Sequence, residues 1–154
     1  EILRCLVGSE MCIRDRAYTG LCWRMDSVQS YFKFNMDMLD TQIRHRLFTA
    51  ELPVYTKVRD EMPARYGDNV TVVNSLVADG CIIEGTVENS VLARGVRIAP
   101  GAHVKNCIIM QDGQVHNDAS IENCILDKQT VIKRSARLIG PAAYPIVIAK
   151  NVVI

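Results

Sequence analysis

The 154-residue sequence predicts a mainly β chain built around a parallel β-helix, and three observations carry that reading. A block of apolar residue, variable residue, Asn, small residue and two apolar residues recurs four times. Its copies begin at Val72, Val87, Val104 and Ile121, offsets of 15, 17 and 17 residues. Between copies lie short segments such as Gly80-Cys81-Ile82-Ile83-Glu84-Gly85, with a β-branched pair between glycines. One period therefore holds about three short strands and three corners, the habit of hexapeptide-type β-helices. The segments are too short and too rich in Val and Ile for helices.

Stacking successive coils puts Leu76, Val91, Ile108 and Ile125 above one another. It puts Asn74, Asn89, Asn106 and Asn123 at one corner, where side-chain amides can bond along the pile. Each coil buries its apolar face only against its neighbours. Ser75, Ser90, Cys107 and Cys124 share a third column. Small buried residues in a narrow coil explain all four, because reduced buried Cys is usually structural; a metal or redox pair is the alternative. The apolar ending, residues 146–154, is expected to cap the exposed coil edge.

The elements ahead of the repeat are read in chain order. Residues 1–16, EILRCLVGSEMCIRDR, show neither helical nor alternating pattern. The run at 5–16 looks like the in-frame translation of a transposon-type sequencing adapter, so 1–16 is read as an artefact joined at Ala17. Residues 18–22 are expected to end a strand. Asp26 is placed as the cap of a helix, with Gln29 as its reciprocal partner and Val28, Tyr31, Phe32, Asn35, Met38 and Leu39 at helical spacing. A second short helix follows Asp40, carrying Ile43 and Leu47. Pro53 and Pro63 bracket an expected strand at 54–58. Two helices and one strand make no domain, so this part reads as the tail of a larger one.

Charge and composition exclude several classes. With 18 basic and 17 acidic residues, no global field recruits nucleic acid or an acidic membrane. No apolar run reaches the length of a membrane span, and no secretory pattern is recognised at the start. The six cysteines lack zinc-type C-x-x-C spacing, and reduced thiols in a cytoplasmic protein are the expectation.

Several motifs in order resemble the glucose-1-phosphate adenylyltransferase family. WRMDSVQSYFKFNMDML (23–39) resembles the last part of its catalytic domain, and VYTKVRDEMPARYG (54–67) its interdomain segment. NSLVADGCIIEGTVENSVLARGV, KNCIIMQDG and the terminal LIGPAAYPIVIAKNVVI are similar to its β-helix. The resemblance implies a single-stranded left-handed parallel β-helix of hexapeptide-repeat type over 70–154. It implies a connector over 52–69 and a remnant of the nucleotidyltransferase domain over 17–51.

Within the family the chain looks closer to the non-catalytic GlgD-type glycogen-biosynthesis subunit. Catalytic members carry a Trp-Arg-Asp-Val-Gly-Thr type motif whose Asp helps hold magnesium, and the contiguous helix alignment puts Arg24 there. An Arg cannot ligate a hard dication. A one-residue gap would bring Asp26 to that place instead. The family joins ATP and glucose 1-phosphate into ADP-glucose and pyrophosphate, but its nucleotide loop and sugar site lie upstream. The chain is therefore expected to hold no catalytic, substrate-binding or metal residue; magnesium belongs to the intact family enzyme. The implied partners are catalytic adenylyltransferase subunits in a hetero-oligomer, with a sugar phosphate as effector.

By resemblance to two family motifs, Lys128 and Lys150 are the candidate effector-binding residues. Lys57, Arg59 and Arg65 are weaker candidates, and a compact ammonium suits a phosphate group. Solvated surface charge is the plain alternative for each. A fragment of the catalytic subunit is the alternative function. A hexapeptide acyltransferase, using a coil-borne His as general base, is a further one. His103 and His116 lie at unmatched coil positions and His45 on a basic helical stretch, and no long excursion loop interrupts 70–139.

Overall fold

The computed structural model describes residues 19–49, 53–55 and 60–154. The segment read as adapter-derived lies outside the described residues, as do Tyr18, Lys57 and Arg59.

From Arg65 onward the chain winds as a parallel solenoid. Fifteen short strands fall into three sheets, each sheet taking every third strand in chain order. The first sheet stacks Arg65–Tyr66, Ile82–Ile83, Arg97–Ile98, Gln114–Val115 and Val131–Ile132. The second stacks Thr71–Val73, Thr86–Glu88, His103–Lys105, Ser120–Glu122 and Arg137–Ile139. The third stacks Leu76–Val77, Val91–Leu92, Ile108–Ile109, Cys124–Leu126 and Ile146–Ile148. Every pairing is parallel, and Leu76, Val91, Ile108 and Ile125 align as expected, continued by Val147.

Alternation along each strand sends every second side chain inward. Ile83, Ile98, Val115 and Ile132 fill one wall of the core; Val87, Val104 and Ile121 fill the second, and Leu92, Ile109 and Leu126 the third. Each such side chain contributes roughly 1.5–3 kcal/mol against the cost of ordering the coil.

The asparagine corner forms as expected. Asn74, Asn89, Asn106 and Asn123 all sit at left-handed φ, between 44° and 52°. Asn tolerates that conformation better than most residues because its short amide bonds locally. Asn106 donates to Oδ1 of Asn123 at 3.3 Å, and Asn123 closes the column on the carbonyl of Gly140 at 2.9 Å. Ser75, Ser90, Cys107 and Cys124 form the neighbouring column, with Ser90 and both thiols fully buried.

The elements before the solenoid differ in part from expectation. Helix α1, Val28–Asp37, is capped by Ser27, whose hydroxyl accepts from the Ser30 N–H at 3.1 Å. Asp26 is not the cap; it accepts from the Ser30 hydroxyl at 2.8 Å, one position too early to reach the first free N–H groups. Helix α2, Thr41–Leu47, follows Asp40 as expected, and Asp40 caps it. Residues 19–22 form no strand, and neither do 53–55; the rest of the strand expected at 54–58 lies outside the described residues. Among the described residues, neither 19–22 nor 53–55 pairs with a strand edge. The apolar ending builds a further coil: Ile146–Ile148 joins the third sheet and Val153 bridges to Val131.

Candidate functional site

The two lysines singled out in the sequence lie at one corner of the solenoid. Lys128 follows the third-sheet strand Cys124–Leu126, and Lys150 follows Ile146–Ile148, its neighbour in that sheet. The Asn151 N–H donates to the Lys128 carbonyl at 3.1 Å, and the Asp127 N–H to that of Ile148 at 3.0 Å. Lys128 and Lys150 are therefore stacked on consecutive coils, with backbones about 4.8 Å apart. Both are exposed, and neither is in an ion pair among the described residues. Two ammoniums one coil apart repel each other, and a bridging anion turns that repulsion into attraction.

The remaining candidates are scattered. Arg65 is on the first strand of the first sheet, at the opposite end of the stack. His103 faces outward on the second sheet, His116 follows a first-sheet strand and His45 is exposed on α2. The fold thus brings together Lys128 and Lys150 and no pair of histidines.

Beside the lysine corner lies a groove that sequence reading missed. Ile108 and Ile125 point away from the core, yet are only 3% and 4% exposed. Met25, Val28 and Tyr31, at the start of α1, line a groove of about 460 Å³ with Met110, Ile125, Asp127 and Val147. Helix α1 lies across the outer face of the third sheet, and Asp127 joins the groove to Lys128. The signal was present in the sequence: third-sheet strands carry two successive apolar residues, so one of each pair faces outward, and at Ile108 and Ile125 that face is covered. A second cleft, about 590 Å³, runs between the asparagine column and the α1–α2 turn, with Asp37, Asp40 and Ala142 in its walls.

No site for a metal is assembled: among the described residues no three His, Cys, Asp or Glu side chains converge. Arg24 is exposed, its guanidinium 3.7 Å from Asp26. No described helix is long and apolar enough to cross a membrane.

Residues 60–142 match the family described as GlmU-like, C-terminal hexapeptide. The chain is 40% identical over 146 residues to glycogen biosynthesis protein GlgD of Bacillus subtilis, covering 95% of this chain and 43% of that protein. It is 51% identical over 70 residues to GlgD of Geobacillus stearothermophilus, 46% of this chain and 20% of that protein. A glucose-1-phosphate adenylyltransferase of Acetivibrio thermocellus is 33% identical over 118 residues, 75% of this chain and 28% of that enzyme. The chain spans less than half the length of these curated relatives.

Proposed function

The chain belongs to the GlmU-like, C-terminal hexapeptide family, and from its likeness to GlgD we propose that it is the β-helix part of a GlgD-type subunit of glycogen synthesis. Its role is structural and regulatory. It assembles with catalytic glucose-1-phosphate adenylyltransferase subunits, which form ADP-glucose, and it binds an anionic effector at the Lys128–Lys150 corner. Likeness to GlgD over 95% of the chain carries the assignment to this branch. The stacked, unpaired lysines support the effector site.

The chemistry of Arg24 favours the non-catalytic reading over a catalytic fragment. A cation at the family's metal position would repel magnesium, so the metal enters with the catalytic partner. We place the assembly in the cytoplasm, where both sugar phosphate and ATP are available. A sugar phosphate fits the corner as effector: its phosphate spans the two ammoniums, and the sugar reaches toward Asp127.

The test uses the full-length parent subunit copurified with its catalytic partner. Fructose 1,6-bisphosphate and glucose 6-phosphate serve as probes, and ADP-glucose formation is followed. The double variant K128A/K150A is expected to leave the assembly intact and raise the half-maximal effector concentration about tenfold or more, the loss of two charge-assisted contacts. An unchanged effector response would remove the corner from the proposal. Failure of the parent to associate with a catalytic subunit would remove the subunit reading itself.

A further inference from the structure

We propose that Cys107 and Cys124 form a dithiol that closes to a disulfide between consecutive coils when the protein meets a peroxide. The two residues immediately precede, and begin, the paired strand positions Ile108 and Ile125, which places them opposite each other on neighbouring coils. Strand spacing of about 4.8 Å falls inside the Cα separation that disulfides span, roughly 4.4–6.8 Å.

Their side chains point the same way. Cys107 Sγ donates to the Lys105 carbonyl at 3.0 Å, and Cys124 Sγ to the Glu122 carbonyl at 3.1 Å. Ser75 and Ser90 do the same in the coils before, to Val73 at 2.8 Å and Glu88 at 2.7 Å. The fold therefore asks of this column a small group that donates two residues back and accepts from the N–H one coil on, as Ser75 does from Ser90 at 3.2 Å and Ser90 from Cys107 at 3.1 Å. Serine meets that need, and sulfur at the last two positions adds a chemistry that the packing does not require.

The pair is asymmetric. Burial pushes the Cys107 thiol well above its ordinary range, whereas the neighbouring Cys107 thiol holds Cys124 below its own. One of the two thiolates attacks a peroxide oxygen; the O–O bond breaks, one water leaves, and that cysteine becomes a sulfenic acid. The other sulfur then attacks it, the S–O bond breaks, and a second water leaves as the S–S bond forms. Two thiols and one hydrogen peroxide give one disulfide and two waters, with both electrons passing from sulfur to peroxide.

Both thiols are shielded from solvent in the closed coil, so oxidation proceeds through local opening of the coils around them. The product ties one coil to the next across 17 residues (124 − 107) and stiffens the part of the stack that precedes the lysine corner.

The test exposes the full chain to hydrogen peroxide, blocks free thiols under denaturing conditions and maps the peptides without reduction. The expected result is an intramolecular Cys107–Cys124 peptide, 2 Da lighter than its reduced parts, and a raised urea midpoint reversed by dithiothreitol. C107S and C124S keep the hydrogen bonds already made by Ser75 and Ser90, so they are expected to fold, and neither should show the midpoint shift. Free Cys107 and Cys124 after treatment, oxidation to sulfinic acid without a link, or a link between molecules would each overturn the proposal. A peroxide-induced midpoint shift that survives in C107S would overturn it as well.

Discussion

The side-chain amide of Asn74 donates to Oδ1 of Asn89, one coil along, at 2.7 Å. Both residues stand at a left-handed φ of 44°. Asn here meets two demands at once: a backbone conformation that a Cβ resists, and a bond that runs along the axis of the stack.

Substitutions at Asn89 separate those demands. N89G keeps the left-handed backbone accessible and loses only the amide bond to Asn74. N89A loses both. We expect N89A to lower stability by about 2–3 kcal/mol and N89G by about 1 kcal/mol, read as shifts of the urea midpoint. Equal losses would mean that the corner is held by the amides alone.

The converse holds at the exposed corners. Gln129 and Ser135 are solvent-exposed and both have a φ of 58°; in earlier coils Gly80 and Gly95 stand at the turn of Gln129, and Gly101 at that of Ser135. No side-chain hydrogen bond among the described residues rewards either one. Q129G and S135G should each raise stability by up to about 1 kcal/mol, because relief of the left-handed strain exceeds the added freedom of glycine in the unfolded chain. Thermal unfolding of the two variants checks this; a lowered melting temperature in both would contradict it.

Gly85 answers to space, not to φ. A Cβ there would lie 2.5 Å from the Ala102 carbonyl oxygen and 2.9 Å from that of Ala99. Both are backbone atoms of the next coil and cannot rotate aside. G85A should cost about 2–3 kcal/mol or more, as overpacking does, and separate that coil from its neighbour. Amide exchange would locate the damage at Thr86, whose N–H donates to the Ala102 carbonyl at 2.8 Å. Undisturbed protection at Thr86 would argue against it.

The repeat was legible because a β-helix writes the same physical demand into each coil. Asn at a left-handed corner, a small residue beside it and a β-branched inward residue recur with little latitude, so stacking and alignment followed from spacing. What covers the outside is written only once. Spacing aligns Ile108 with Ile125 but does not say which way they face, and only the fold shows that Ile109 and Leu126 fill the interior while Ile125 meets α1. The helix start was misjudged by one residue because Asp26 and Ser27 are both good caps, and geometry chose Ser27. Lys128 and Lys150 were picked from two separate motifs; their convergence needed the coil closure that places one above the other.

The two thiols raised by burial, Cys107 and Cys81, make stability fall at alkaline pH. Burial raises Cys107 and Cys81 above the ordinary value of 9.0. Their folded forms keep a proton that the unfolded chain releases, so the folded state binds more protons above that pH. Their contribution is fully present below about pH 9 and is lost as pH rises toward the folded values. The urea midpoint should therefore decline more steeply above pH 9 in the parent than in C107S, whose hydroxyl does not ionise there. Parallel pH profiles would show that the thiol is not the cause.

The outer face of the third sheet offers the last prediction. Ile125 turns outward beneath the start of α1, while Leu126, its neighbour, turns into the core. I125D should place a carboxylate in the apolar groove and release α1 without emptying the solenoid. Trp23, the sole tryptophan, stacks on Phe34 of α1 with centroids 5.0 Å apart, so its emission reports on the helix. We expect I125D to increase acrylamide quenching of Trp23 while the β-sheet circular dichroism and its unfolding midpoint change little. L126D, by contrast, buries an unpaired charge and should unfold the coils outright. If I125D leaves Trp23 protected, α1 is held by the asparagine-side cleft instead, and the apolar column on the third sheet is free to meet another partner.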